Sequence, residues 1–142
     1  EATVQTQLTN DLAARLEYSY SMHNYVNDDN YEDNEISQAP NHTGNARLIY
    51  TPSYAKGLKV MAECQYVGEY WMDDDHSADK YHGYGIGNLK ADYAYSNELS
   101  FFAKITNITD EKYAVSASYA YGRDDYTPGD PRQFYAGLKY LW

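Results

Sequence analysis

Apolar and polar residues alternate with a period of two along most of this chain, and that alternation constrains the fold more than any other feature. From Leu12 to Met22 the even positions are Leu12, Ala14, Leu16, Tyr18, Tyr20 and Met22, opposed by Arg15, Glu17, Ser19 and Ser21. From Leu58 to Tyr70 the even positions are Leu58, Val60, Ala62, Cys64, Tyr66, Gly68 and Tyr70, opposed by Lys59, Glu63, Gln65 and Glu69. The same pattern marks 89–95 and 99–106, and the end of the chain, where Phe134, Ala136, Leu138, Tyr140 and Trp142 share one parity. Ala2–Leu8 and Asn45–Tyr50 repeat it more briefly. Successive side chains of a strand point to opposite faces, so these segments read as seven strands, each with one apolar side. No window carries a comparable helical period.

The connections alternate too, in length. Thr9-Asn10-Asp11, Thr51–Gly57 and Ser96-Asn97-Glu98 are short and rich in turn residues. Between them lie long polar links at 27–40, 72–81 and 113–131. In an up-and-down antiparallel sheet this order gathers the short turns on one rim and the long loops on the other, which is the asymmetry of transmembrane β-barrels. The apolar sides are nearly free of charge, whereas Arg15, Glu17, Arg47, Lys59, Glu63, Glu69, Lys90, Asp92, Lys104 and Lys139 lie opposite. Charges of both signs suit a wet lumen with pairing between strands, and a cross-strand salt-bridge ladder is the bland reading of Arg15, Glu17, Arg47, Lys59 and Glu63. Aromatics gather toward the strand ends: Tyr50, Tyr95, Tyr140 and Trp142 on one rim, and Tyr18, Tyr20, Tyr66, Tyr70 and Phe134 on the other. Such bands resemble interfacial girdles.

Composition agrees. Tyrosine supplies 18 of 142 residues, and its amphipathic ring suits a boundary between dry and wet surroundings. A mean hydropathy of −0.78 does not exclude a membrane barrel, whose apolar residues are diluted by alternation. No run of about 18 apolar residues exists to form a spanning helix. A net charge of −10 argues against nucleic acid as a partner. Cys64, the single cysteine, leaves no intramolecular disulfide and reads as a small hydrophobe. The first residues lack a signal-peptide pattern, so either a leader has been removed or the chain begins within a longer one. Seven strands do not make the even number of a closed single-chain bacterial barrel, and open apolar edges invite aggregation. The expectation is therefore the tail of a larger barrel, or an eight-stranded barrel short of a strand.

The last third carries a resemblance. Asn107-Ile108-Thr109-Asp110-Glu111-Lys112-Tyr113 follows one strand, and Tyr126-Thr127-Pro128-Gly129-Asp130-Pro131-Arg132 leads into the last, which ends in Trp142. Their order resembles the C-terminal end of TonB-dependent outer-membrane receptors, and Ala39-Pro40-Asn41-His42-Thr43 resembles a further stretch of that family. The resemblance implies an all-β, antiparallel up-and-down transmembrane segment. Residues 1–142 would be the last seven strands or so of a barrel of about 22, without the plug domain or TonB box. It implies TonB-coupled uptake of a scarce nutrient, foremost an iron-siderophore, in the bacterial outer membrane. The partners would be the TonB complex through a missing N-terminal part, the barrel-assembly machinery, and membrane lipid and lipopolysaccharide. Tyr140 and Trp142 would be the assembly signal. The alternatives are a small self-contained outer-membrane barrel with a structural or adhesive role, and a soluble tyrosine-rich β-domain.

Candidate sites fall in the loops. Asp28, Asp29, Asn30, Glu32, Asp33 and Glu35 offer oxygen ligands to a hard cation, but in no defined calcium-loop spacing. Asp73, Asp74, Asp75, His76, Asp79 and His82 mix imidazole and carboxylate, which suits a transition metal, yet a flexible loop is the favoured reading. Of these, Asp28, Asp29, Asp73 and Asp75 are weak metal candidates, and no resident metal or cofactor is expected. The three long links hold 12 of the 21 acids, which accounts for the net charge, and divalent cations could bridge them to anionic lipopolysaccharide. Arg123 and Arg132 could meet an anionic ligand through charge-assisted hydrogen bonds, or pair with Asp124, Asp125 or Asp130. Tyr31, Tyr81, Tyr84 and Tyr126 could contact an aromatic chelator, and Tyr81 and Tyr126 join the two arginines as ligand-binding candidates. His23 and His42 have no assigned role. The Asn-x-Ser/Thr matches at Asn41 and Asn107 carry no weight in a bacterial outer membrane. Phosphate loops, nucleophile elbows and metal-binding His–Glu helices are missing from the sequence, so no enzyme is expected.

Overall fold

The structure, a computed structural model, describes residues 1–31 and 33–142; Glu32 of the first acidic loop lies outside the described residues. Its elements are strands only: β1 (Ala2–Gln7), β2 (Leu12–Tyr20), β3 (His42–Tyr50), β4 (Leu58–Val67), β5 (Tyr70–Trp71), β6 (Lys80–Tyr81), β7 (Tyr84–Ala94), β8 (Leu99–Thr106), β9 (Ala114–Ala120), β10 (Arg123–Pro128) and β11 (Gln133–Tyr140). Seven of them form one antiparallel sheet in the order β1-β2-β3-β4-β7-β8-β11, a meander in which each strand pairs with the next long one. The seven expected strands are these seven. Four strands, β2, β3, β4 and β7, are nine to eleven residues long, the length that crosses a hydrocarbon core when tilted.

Boundaries shift by a few residues. β3 begins at His42 rather than Asn45, and β7 at Tyr84 rather than Leu89. β2 stops at Tyr20, β4 at Val67 and β11 at Tyr140, so Met22, Tyr70 and Trp142 leave the sheet. Glu69 leaves it as well and joins Lys80 at 3.2 Å, which removes it from the charged face. The larger correction concerns the long links. The 72–81 link is framed by the β5–β6 hairpin, and the 113–131 link contains β9–β10. The latter turns on Tyr121 (φ 54°) and Gly122 (φ 77°), two consecutive left-handed residues of the kind a tight two-residue hairpin requires.

Register fixes the faces. Val4, Leu16, Ala46 and Cys64 lie in one row, and Ala62, Leu89, Ile105 and Phe134 in another. Every apolar set read from the sequence thus falls on one face, and that face is open: Leu16 is 54% exposed and Leu138 64%. On the other face Gln5, Arg15, Arg47, Glu63 and Asn88 form a polar row across five strands. The buried cluster of Tyr70, Met72, Ala114 and Ala117 lies outside the sheet, where the two loop hairpins meet. A soluble sheet would bury its apolar face; this one buries its loops instead.

The expected ladder of cross-strand ion pairs is mostly absent. Arg47 pairs with Glu63 across β3–β4 at 2.7 Å, but Arg15–Glu17 and Lys90–Asp92 are pairs along one strand. Directly across, Arg15 faces Arg47 and Lys90 faces Lys104. Like charges opposite one another are unfavourable, and the carboxylates two residues along the strand offset them.

Candidate ligand clefts between the loop hairpins

The loops are built from the rim upward. Asn107 ends β8 in a left-handed conformation (φ 49°) and is 1% exposed. Its side-chain amide donates to the carbonyls of Glu111 (2.8 Å) and Asp130 (3.0 Å), and its Oδ1 accepts from the Glu111 N–H (2.8 Å). Its own N–H donates to Asn88 Oδ1 on the charged face. The turn it closes places Tyr113 against Tyr84, ring centroids 4.5 Å apart. Gly129 lies on the Tyr113 ring so closely that any Cβ there would collide with it, while its N–H bonds the Tyr113 carbonyl at 2.8 Å. The two stretches that carry the family resemblance are therefore the two halves of one knot at the loop rim.

Above the knot the hairpins share hydrogen bonds. The Ala114 and Ala117 N–H groups donate to the hydroxyls of Tyr81 (2.8 Å) and Tyr70 (2.9 Å). The first long loop docks on the same assembly. Gln38 N–H meets the Trp71 carbonyl, Asp74 Oδ1 accepts from Ser37 N–H, and the Asn34 amide reaches the Asp74 carbonyl, each at 2.8 Å. His76, stacked on Trp71 at 4.1 Å, donates from Nε2 to the Glu35 carbonyl at 2.8 Å. Lys80 lies over the Trp71 ring, 4.9 Å from its centroid, and 3.8 Å from Glu35.

Two clefts result, of about 560 and 480 Å³, with Tyr81 and Tyr126 lining both. Their ring centroids lie 6.4 Å apart. The larger cleft adds Tyr113, Pro128, Pro131 and Lys112; the smaller adds Met72, Tyr119 and His82. The Tyr126 hydroxyl donates to Asp124 at 3.1 Å. Desolvation, and then the Asp124 carboxylate, hold that phenol above its ordinary pKa, so it meets a ligand as a neutral ring and hydroxyl rather than as a phenolate.

The sequence candidates divide. Tyr81 and Tyr126 come together in the clefts, and Tyr84 supports the rim below them. Tyr31 lies apart and stacks with Tyr25 at 5.1 Å. Arg123 is exposed on β10 without an ion pair among the described residues. Arg132 pairs with Asp110 at 3.9 Å, not with Asp124, Asp125 or Asp130, and its own N–H also donates to Asp110. The acidic candidates work as turn caps: Asp28 accepts from the N–H groups of Asn30 and Tyr31, and Asp73 from those of Ser77 and Ala78. Asp29 and Asp75 join no cluster, and among the described residues no three His, Cys, Asp or Glu side chains converge as metal ligands. His42 belongs to a strand and bonds the Tyr18 hydroxyl through Nδ1 at 2.7 Å. Tyr70 and Tyr113 were legible only as a strand end and a motif residue; Tyr70 supports the clefts from the buried cluster and Tyr113 lines the larger one, through contacts 47 and 29 residues away in sequence.

Neither a family model nor a curated protein matches the chain. Solved structures do. The ferric yersiniabactin uptake receptor of Yersinia pestis superposes with a TM-score of 0.83 at 11% identity, over 97% of this chain and 22% of that one. A ferric enterobactin receptor of Pseudomonas aeruginosa gives 0.77 at 20% identity, over 97% and 21%. A copper transporter gives 0.72 at 17% identity, over 96% and 22%. The chain spans about a fifth of the length of these structures. The likeness is one of fold: an all-β antiparallel sheet matching a β-barrel segment of TonB-dependent receptors, with the barrel not closed over these residues.

Proposed function

We propose that this chain is the C-terminal part of the barrel of a TonB-dependent outer-membrane receptor that takes up a scarce nutrient, most fittingly an iron-siderophore. One observation carries the reading: the register that makes the sheet gathers the alternating apolar sets of all seven strands on one open face, free of charge, and puts the strand charges on the other. An open face of that kind is stable against lipid, and a charged face against a wet lumen. The fold likeness to uptake receptors supports the same assignment. In this reading the exposed backbone edges of β1 and β11 are continued by further strands of the same wall.

Function then divides by height. The strands are wall. The tyrosine clefts stand beside the loop end of the charged face, joined to it through Tyr84 and Asn88, where a ligand would first be held. Tyr81 and Tyr126 supply ring faces and hydroxyls, and Arg123 a free guanidinium nearby on the same hairpin as Tyr126. Arg132, engaged by Asp110, positions the rim. Acidic loop residues bridged by divalent cations would meet lipopolysaccharide. Tyr140 and the fully exposed Trp142, at the end of β11, would be read by the barrel-assembly machinery, while the TonB complex would engage a part of the protein outside these residues.

The test is made on isolated outer membranes from iron-limited cells. Antiserum to this segment should detect a polypeptide several times heavier than 16.3 kDa, and ferric-chelate uptake should stop when the proton-motive force is collapsed. A band near 16.3 kDa, with uptake unaffected by deleting its gene, would overturn the reading in favour of a small independent barrel.

A further inference from the structure

We infer that the tyrosine clefts select by charge: they admit neutral or cationic chelates and disfavour polyanionic ones. The inference rests on the uptake reading above and narrows its ligand class. Tyr81 and Tyr126 form a shared wall, and around it carboxylates outnumber available cations. Asp110, already paired with Arg132, and Glu111 line the larger cleft, and Asp79 and Asp124 the smaller. Two cations line them as well. The Lys80 ammonium is taken by Glu69 at 3.2 Å and Glu35 at 3.8 Å, and it lies over Trp71. Lys112, and Arg123 next to Asp124 on β10, are left without an ion pair among the described residues, against the unpaired carboxylates of Asp79, Glu111 and Asp124. The nearest long loop, 21–41, adds acids and contains no Lys or Arg at all.

A concave site lined by one sign of charge focuses its field and raises the local concentration of the opposite sign. The aromatic walls act in the same direction, because ring faces attract cations and pack against neutral apolar surface. Ligand chemistry then matters through simple valence. A ferric ion bound by three hydroxamates, each a monoanion, is a neutral complex, and an appended ammonium makes it a cation. Bound by three catecholates, each a dianion, it is a trianion. The cleft fits the first two and repels the third.

The experiment uses the native protein in isolated outer membranes, with binding of iron-55 carried by three probes: a neutral tris-hydroxamate, a tris-hydroxamate bearing a free ammonium, and a tris-catecholate. At about 20 mM salt the hydroxamates should bind roughly tenfold or more tightly than the trianion, and the gap should close as salt approaches 0.5 M, because the field is screened within a few ångströms there. Combining Asp79→Asn, Glu111→Gln and Asp124→Asn should raise the ratio of trianion to neutral-probe binding by about fivefold or more at low salt, and an unchanged ratio would overturn the inference. Equal binding of all three probes, or a preference for the trianion, would overturn the charge inference while leaving uptake intact. Binding of none of them would overturn the iron-chelate reading on which it rests.

Discussion

Arg47 and Glu63 are paired across the β3–β4 seam at 2.7 Å, and Glu63 gathers three amides as well. Asn45 donates to it at 3.0 Å, Asn88 at 3.2 Å and Gln65 at 3.4 Å. This carboxylate is the fixed point of the charged face. Glu17, which serves Arg15 along one strand, is more exposed, 32% against 13% for the Glu63 side chain.

Glu63→Ala should therefore destabilise the barrel by about 2–3 kcal/mol, because it leaves Arg47 half-buried beside three unpaired amides. Glu17→Ala should lose less than about 1 kcal/mol, as exposed pairs do. Thermal unfolding of the detergent-solubilised receptor, followed by gel mobility of heated and unheated samples, separates the two. Equal losses would contradict the hub role of Glu63.

Asn107 makes the rim knot, and its side chain and backbone contributions can be told apart. Asn107→Gly keeps the left-handed backbone and removes the amide bonds; Asn107→Ala removes the bonds and strains the backbone. Three hydrogen bonds worth about 1 kcal/mol each predict a loss near 2–3 kcal/mol for glycine, with about 1 kcal/mol more for alanine. Limited proteolysis should nick the 107–132 segment faster in both variants. If glycine behaves as wild type, the hydrogen bonds do not hold the knot.

What the sequence revealed and what it hid follow from range. Alternation is a local signal, so the strands, their order and their apolar faces were legible from residues such as Leu12–Tyr20 and Leu58–Val67 alone. The resemblance motifs also marked a real feature, although their meaning as one knot needed Asn107 to meet Asp130, 23 residues on. The loop hairpins were hidden because β5 and β6 are two residues each, and because the alternation in β9, Val115-Ser116-Ala117-Ser118-Tyr119, is only five residues long inside a long polar link. Ala117 is fully buried only because Tyr70 and Met72 arrive from another loop. Nearness in sequence pointed Arg132 toward Asp130; folding delivers Asp110 instead.

Acid should loosen the β5–β6 hairpin. Burial pushes the Asp73 carboxyl upward, but hydrogen bonds from the Ser77 hydroxyl and the Ser77 and Ala78 N–H groups outweigh it and leave the pKa below the usual carboxylate value. A depressed pKa contributes stability that is fully present above the unfolded value, near 3.9, and is lost as pH falls through the folded one. Hydrogen exchange at the Ser77 and Ala78 amides of the receptor, corrected for the intrinsic pH dependence of exchange, should show constant protection from pH 7 to about 5 and a loss of it below about 4. Asp73→Asn should remove that acid step, since it no longer titrates; a step that survives belongs to another group.

The membrane assignment makes the sharpest demand on two neighbours in β3. Leu48 lies on the open apolar face, in register with Ala14 and Ala62, and is 48% exposed without any partner to cover it. Ile49, one residue on, shares the other face with Ala13 and Met61. In water, Leu48→Lys would be harmless or helpful, since it replaces exposed apolar surface with charge. In lipid the same change should disfavour insertion by about 2–4 kcal/mol near the midplane, whereas Ile49→Lys projects into a wet lumen and should be far milder. Folded receptor recovered from outer membranes measures this directly. Loss of assembly for Leu48→Lys with retention for Ile49→Lys assigns the faces as argued; the reverse order would mean that the apolar side of this sheet does not face lipid.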